Sequence, residues 1–194
     1  MKKLIIASNN NGKIKEIKDL LAHLDIEVLS LADANIDIDV EETGVTFKEN
    51  AYIKAKEIYD LVKIPVLSDD SGLEVAGLNN EPGIYSARYA GPEKDNEKNI
   101  DLLIKNVSNL EDRSARFVTA MALIISDEEE HVVESYLEGE IITERRGTNG
   151  FGYNPIFYVP EYKRTLGEIE DELRNKITHR SKALRLILKY IEER

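Results

Sequence analysis

The sequence predicts an α/β fold built on a mixed β-sheet, and three observations carry that expectation. Residues 4–7, LIIA, form a short continuous apolar run, the pattern of a strand covered on both faces of a parallel sheet. A helical repeat follows at once, and a further strand-like run after it completes a strand, helix, strand unit. Farther on, two long runs rich in Val, Ile and aromatic residues are separated by the acidic turn DEEE, so one strand pair is antiparallel and the sheet is mixed.

Taken in order, Leu4 to Ala7 is the first strand. From Lys13 to Leu24, the residues Ile14, Ile17, Leu20, Leu21 and Leu24 recur at helical spacing, and Ile26 to Leu31 reads as the second strand. Thr46 opens the next helix with Glu49 placed for a capping box, and Phe47, Ala51, Ala55, Ile58 and Val62 share its apolar face. Pro65 to Ser68 is another strand, which Ser71-Gly72 is expected to end. A helix spans Asn96 to Val107 through Ile100 and Leu103; strands follow over Ala115 to Ser126 and His131 to Ile142. The three glycines of RGTNGFGYNP, residues 146–155, require a loop, and Ser181 to Ile191 is the closing helix. No internal repeat, low-complexity tract or Pro-rich linker interrupts the chain, so residues 1–194 are expected to form one domain.

Composition narrows the function. With 194 residues and 42% hydrophobic content, the chain can bury a sizeable core. Its formal net charge of -11 argues against sequence-independent binding to nucleic acid, which depends on Lys and Arg neutralising phosphates. A small anionic substrate stays compatible, because a basic pocket or a bound cation reverses the field locally. The absence of cysteine removes disulfides, thiolate nucleophiles and Cys-ligated zinc. No apolar run reaches the roughly 18 to 20 residues of a membrane span, and MKKLIIASNNN is too short in its apolar part for a signal core, so a cytoplasmic protein without a membrane partner is expected.

Four stretches carry chemistry. SNNNGK, residues 8–13, sits between a buried strand and a helix start, where unpaired N–H groups, the helix dipole and Lys13 favour an anion such as phosphate. It lacks the earlier glycine and the following hydroxyl of a P-loop, and its bland reading is an Asn-rich turn. In NIDIDVEETG, residues 35–44, Ile36, Ile38 and Val40 alternate with Asp37, Asp39 and Glu41. Glu42 then falls on the apolar side, needing a cation or donor there, unless the strand ends at Glu41 and Glu42 turns to water. PVLSDDSG puts Val66, Ser68 and Asp70 on one face and Leu67 and Asp69 on the other, at the carboxyl end of a strand where ligand groups gather in α/β sheets. Such oxygen ligands suit magnesium, although Asp-Asp before Ser-Gly is also ordinary turn chemistry. Finally, Phe151 and Tyr153 of GFGYNP offer rings for a planar base, with His179 and Arg180 of NKITHRSKA nearby in chemistry; loop packing and a solvated basic face are the alternatives. His23 and His131 read as structural.

Taken together, ASNNNGKIKEI, EETGVTFKENAYIKA, LSDDSGLEV, EPGIYSARYAG, GTNGFGYNPIF and ITHRSKAL resemble, in order and nearly end to end, the noncanonical purine nucleoside triphosphate pyrophosphatases, also called inosine triphosphate pyrophosphatases. The resemblance implies a long twisted mixed sheet flanked by helices, with two lobes around a central cleft, assembled as a homodimer. It implies Mg²⁺-dependent hydrolysis of ITP, dITP or XTP to the monophosphate and pyrophosphate, with Mn²⁺ as a possible substitute. By the family pattern, Ser8, Asn9, Asn10, Asn11, Gly12, Lys13 and Lys54 hold the triphosphate. Glu42 and Asp70 hold the metal, Asp70 also activates water, and Ser71 lines the substrate site. Phe151, Gly152, Tyr153, His179 and Arg180 correspond to the base pocket, with Arg180 donating to the 6-keto group. Three positions depart from the pattern: Asn154 stands where the family usually has Asp, Arg174 where it has a phosphate-binding Lys, and Ser181 where it has Gly. Two rival expectations are a septum-inhibitor-type pyrophosphatase acting on modified pyrimidine triphosphates and a non-catalytic purine-nucleotide-binding module.

Overall fold

Short apolar runs that are covered on both faces, and longer alternating ones, build the strands of this chain. The computed structural model describes residues 1–192 and runs β1 (Lys3–Ala7), α1 (Asn11–Leu21), β2 (Glu27–Ser30), α2 (Phe47–Val62), β3 (Val66–Val75), β4 (Glu81–Gly83), α3 (Asn96–Val107), β5 (Ser114–Ser126), β6 (Glu129–Ile141), β7 (Phe157–Val159), β8 (Arg164–Thr165), α4 (Asp171–Ile177) and α5 (His179–Glu192). The strands form one open mixed sheet in the order β2-β1-β3-β5-β6-β7-β8, with β4 paired on β3. β1 is parallel to β2 and to the first part of β3, whereas β3–β4, β6–β7 and β7–β8 are antiparallel.

The chain divides into two compact units: Met1–Asp70 with Thr119–Ser135 and the segment from Arg180 on, and Ser71–Val118 with Tyr136–His179. In the first unit Leu4 and Ile6 of β1 and Leu67 of β3 pack against Ile17 and Leu21 of α1 and Leu184 and Ile187 of α5. Ile5 points to the opposite face, where α2 lies beside β1 and buries Ala51, Ala55 and Ile58. Both faces of β1 are thus dry, which is why its sequence is continuously apolar. The second unit buries Leu73, Val75, Phe117, Leu137, Phe157 and Leu166 with Ile100 and Leu103 of α3.

The capping box at Thr46 and Glu49 forms as expected: Thr46 Oγ1 accepts from the Glu49 N–H, and Glu49 Oε2 accepts from the N–H groups of Thr46 and Val45. Three boundaries differ from the sequence reading. α1 begins at Asn11 rather than Lys13, because Asn10 caps it, and it ends at Leu21 rather than Leu24, because the chain must turn to bring Glu27 beside Lys3. β3 does not end at Ser71-Gly72 but continues to Val75, since Leu73 and Val75 are core residues and Leu73, Glu74 and Val75 pair with Gly83, Pro82 and Glu81. Asp69 and Asp70 consequently sit in mid-strand, not just beyond a strand end. Residues 36–44 join no ladder, yet keep the alternation: Ile36, Ile38, Val40 and Glu42 are half-buried, while Asp37, Asp39 and Glu41 are exposed.

Candidate active site

The SNNNGK segment forms a helix entry rather than an open turn. Asn10 Oδ1 accepts from the Lys13 N–H at 3.1 Å, and Ser8 Oγ accepts from the Asn10 N–H at 3.2 Å. The Ser8 N–H itself donates to the Ile6 carbonyl. Three amides expected to converge on an anion are therefore already engaged. What the first turn presents is the pair of N–H groups of Asn11 and Gly12, which have no intrahelical acceptor, the positive end of the dipole, and the Lys13 ammonium.

Lys13 is held by the sheet. Its Nζ lies 2.9 Å from Asp69 Oδ2, and Asp69 is fully buried. Arg180, buried at the start of α5, places Nε 3.5 Å from the same carboxylate oxygen and pairs through a second nitrogen with Glu16 of α1. One face of β3 thus carries an ion network of α1, β3 and α5. Burial works to raise the Asp69 carboxyl, but Lys13, Arg180 and Lys54 outweigh it and hold the group well below the usual carboxylate range. Burial lowers the Lys13 ammonium, and Asp69 opposes that shift.

The next residue points to the other face. Asp70 Oδ2 accepts from Asn50 Nδ2 of α2 at 3.2 Å, and Ser68, on the same face, donates its hydroxyl to the Ala51 carbonyl. Lys54, one turn after Asn50, donates to Glu42 Oε1 at 2.7 Å and to the Asp69 carbonyl at 2.8 Å. Asp70 is pushed up by burial, an effect that the Glu42 charge reinforces and that Lys54 and Lys13 oppose. Glu42 is therefore turned inward, within electrostatic reach of Asp70. Lys54 loses charge stability through burial, but Asp70, Asp69 and Glu42 together more than restore it, so its ammonium is held above the ordinary value.

The second unit carries the glycine loop. Gly147, Gly150 and Gly152 all have positive φ, which explains the glycine-rich sequence there. Phe151 is 36% exposed, whereas Tyr153 is buried in the core with its hydroxyl donating to the Ser86 carbonyl at 2.7 Å. Of the two expected stacking rings, Phe151 is the one that faces solvent. It lines a cavity of about 610 Å³ with Asn149, Gly152 and Arg145, the last held by Asp101 at 2.6 Å and by Glu97. Asn154 is half-buried, its amide 3.5 Å from the Asn149 carbonyl. Arg174 is buried, donating to Asp171 at 2.6 Å and to the Ile169 carbonyl at 3.2 Å. His179 stacks on Phe117 with ring centroids 4.8 Å apart, and Ser71 is half-buried on β3. Arg180, which the family pattern assigns to the base pocket, is buried at the start of α5 with its guanidinium paired to Asp69 and Glu16.

The sequence matches the Ham1 family over residues 4–190. The chain belongs to the Ham1 family. A Staphylococcus epidermidis relative named dITP/XTP pyrophosphatase is 44% identical over 192 residues, covering 99% of this chain and 97% of that protein. Among solved structures, the Staphylococcus aureus Ham1 protein aligns with a TM-score of 0.91 at 43% identity, covering 99% of both chains. A Ham1 protein from Coxiella burnetii aligns with a TM-score of 0.92 at 38% identity, covering 100% of both.

For a Ham1 chain expected to use a divalent cation, the acidic face of β3 fits such an ion. Glu42 and Asp70 supply hard oxygen donors, and the cost of ionising buried Asp70 beside Glu42 is what a cation would offset. Among the described residues no group of three or more His, Asp or Glu side chains forms a metal cage, so two carboxylates would leave coordination positions for water and phosphate. The sequence reading missed Asn50 and Glu16. Their signals were present: Asn50 stands four residues before Lys54 on the same helix face, and Glu16 three after Lys13.

Proposed function

We propose that this Ham1 protein is a cytoplasmic, homodimeric hydrolase that cleaves noncanonical purine nucleoside triphosphates, ITP, dITP and XTP, to the monophosphate and pyrophosphate with Mg²⁺, or Mn²⁺ in its place. The observation that carries this reading is that Lys54 Nζ joins Glu42 Oε1 at 2.7 Å to the Asp69 carbonyl at 2.8 Å, next to Asp70, while Lys13 Nζ lies 2.9 Å from Asp69 Oδ2, so the acids and the phosphate-directed cations form one cluster. When bound by Glu42 and Asp70, the cation neutralises phosphate charge.

The chain's own residues then have these roles. Ser8 to Lys13 and Lys54 hold the triphosphate, with Lys13 and Lys54 opposing the charge that grows on the departing pyrophosphate. Asp70 accepts the proton of a water whose oxygen attacks the α-phosphorus, and the α–β bridging oxygen leaves with the pyrophosphate. Phe151 stacks on the base, with Gly152, Tyr153, Asn154 and His179 shaping its pocket, and Ser71 lines the substrate site. Arg180, which pairs with Glu16 and Asp69, turns to donate to the 6-keto oxygen of the base, and Arg174, at the position of the family's phosphate-binding lysine, supplies charge to the phosphates.

A panel of purine and pyrimidine triphosphates, with products resolved and magnesium present or chelated, tests the reading. The expected result is pyrophosphate from dITP and XTP, at least tenfold faster than from dATP, and none without divalent cation, since each unmade buried hydrogen bond costs about 1–3 kcal/mol. Preference for modified pyrimidine triphosphates, or tight purine binding without pyrophosphate release, would overturn it.

A further inference from the structure

We propose that Asn50 is a positioning residue that sets the Asp70 carboxylate for the divalent cation, an inference resting on the reading of Glu42 and Asp70 as that cation's ligands. Asn50 is 1% exposed, and its carboxamide spans two segments distant in sequence. Its Oδ1 accepts from the Gly44 N–H at 2.8 Å, and its Nδ2 donates to Asp70 Oδ2 at 3.2 Å. The Gly44 N–H can only donate, so the oxygen of Asn50 must face it and the amino group must face Asp70. The orientation of the donor toward the carboxylate is thus fixed by a backbone bond two residues from Glu42.

Gly44 makes this approach possible. A Cβ there would lie 2.7 Å from Asn50 Oδ1 and 2.6 Å from Glu49 Cβ. One helical turn on, Lys54 repeats the arrangement, joining Glu42 to the Asp69 carbonyl. Positions i and i+4 of α2 therefore tie the same two segments together, and Asn50 is the tie that ends on the Asp70 carboxylate.

Other bonds also tie these segments to α2. Glu49 already fixes the N–H groups of Val45 and Thr46, and Ser68 already fixes β3 to α2 through the Ala51 carbonyl. What the Asn50 amino group adds is the plane of the Asp70 carboxylate. Such outer partners of metal ligands are worth about 10–100-fold in metal affinity or activity.

The test is Mn²⁺ affinity, read by electron paramagnetic resonance on nucleotide-free protein, for wild type, Asn50→Leu, Asn50→Ser and Glu42→Gln. Asn50→Leu keeps the side-chain shape without either hydrogen bond, and Asn50→Ser leaves space for water if the leucine variant does not fold. The expected result is a dissociation constant raised about 10–100-fold in the folded Asn50 variant, with a fall in kcat at saturating Mn²⁺. Wild-type affinity in a folded Asn50 variant, with affinity reduced in Glu42→Gln, would overturn this inference alone. Absence of Mn²⁺ binding by wild type, or unchanged affinity in Glu42→Gln, would overturn the ligand assignment and this inference with it.

Discussion

Replacing Asp70 with asparagine is expected to lower turnover by about 10²–10⁴-fold, the range a positioned general base contributes, while the protein stays folded. In chelator the variant should also be more stable than wild type at pH 8. Burial, reinforced by Glu42, holds the folded-state carboxyl of Asp70 above the ordinary carboxylate value. A group raised in this way favours the folded state most at low pH, below its unfolded value, and that benefit is lost as pH rises through the folded value. Asparagine carries no such pH-dependent term, so its advantage is greatest in alkali and shrinks toward the ordinary carboxylate range. Thermal unfolding of both proteins across pH, with steady-state kcat in magnesium, checks the two halves. A variant with wild-type kcat would remove Asp70 from the chemistry.

Its neighbour should behave in the opposite way. Asp69→Asn is expected to cost about 3–5 kcal/mol of stability, the range for breaking a buried ion pair by removing one partner. Half-buried Lys13 and buried Arg180 would be left as neighbouring cations with their shared acceptor neutralised. Because Asp69 is held below the carboxylate range, its contribution is fully present above the unfolded value near 3.8 and is lost only as pH falls through the depressed folded value. Denaturant unfolding at pH 7 should therefore record the full difference, and KM for the triphosphate should rise as Lys13 is displaced. Equal unfolding free energies for Asp69→Asn and wild type would contradict the ion network.

The contrast between two consecutive aspartates rests on the period of two, and that much was legible from the residues. Val66, Ser68 and Asp70 do share one face, and Leu67 and Asp69 the other, as alternation requires. Glu42 was legible in the same way, falling in phase with Ile36, Ile38 and Val40 although no ladder holds the segment. The continuation of β3 past Gly72 was not, because the local turn signal was overridden by pairing with β4 and burial of Leu73 and Val75. Neither were β7, β8 and α4, whose two to seven residues are too few to display a period. The partner of Arg180 lay beyond local reading as well: Glu16 is 164 positions away, and only the packing of α5 beside α1 brings them together.

The meeting of Glu42 and Asp70 at one divalent cation is tested most directly by a double-mutant cycle on cation binding. Mn²⁺ is titrated calorimetrically into wild type, Glu42→Gln, Asp70→Asn and the double variant. Shared ligation predicts one ion per chain in wild type, weaker binding in each single variant, and a combined loss smaller than the sum of the two, because the acids act through the same ion. Strictly additive losses, or a single variant that binds as tightly as wild type, would contradict it.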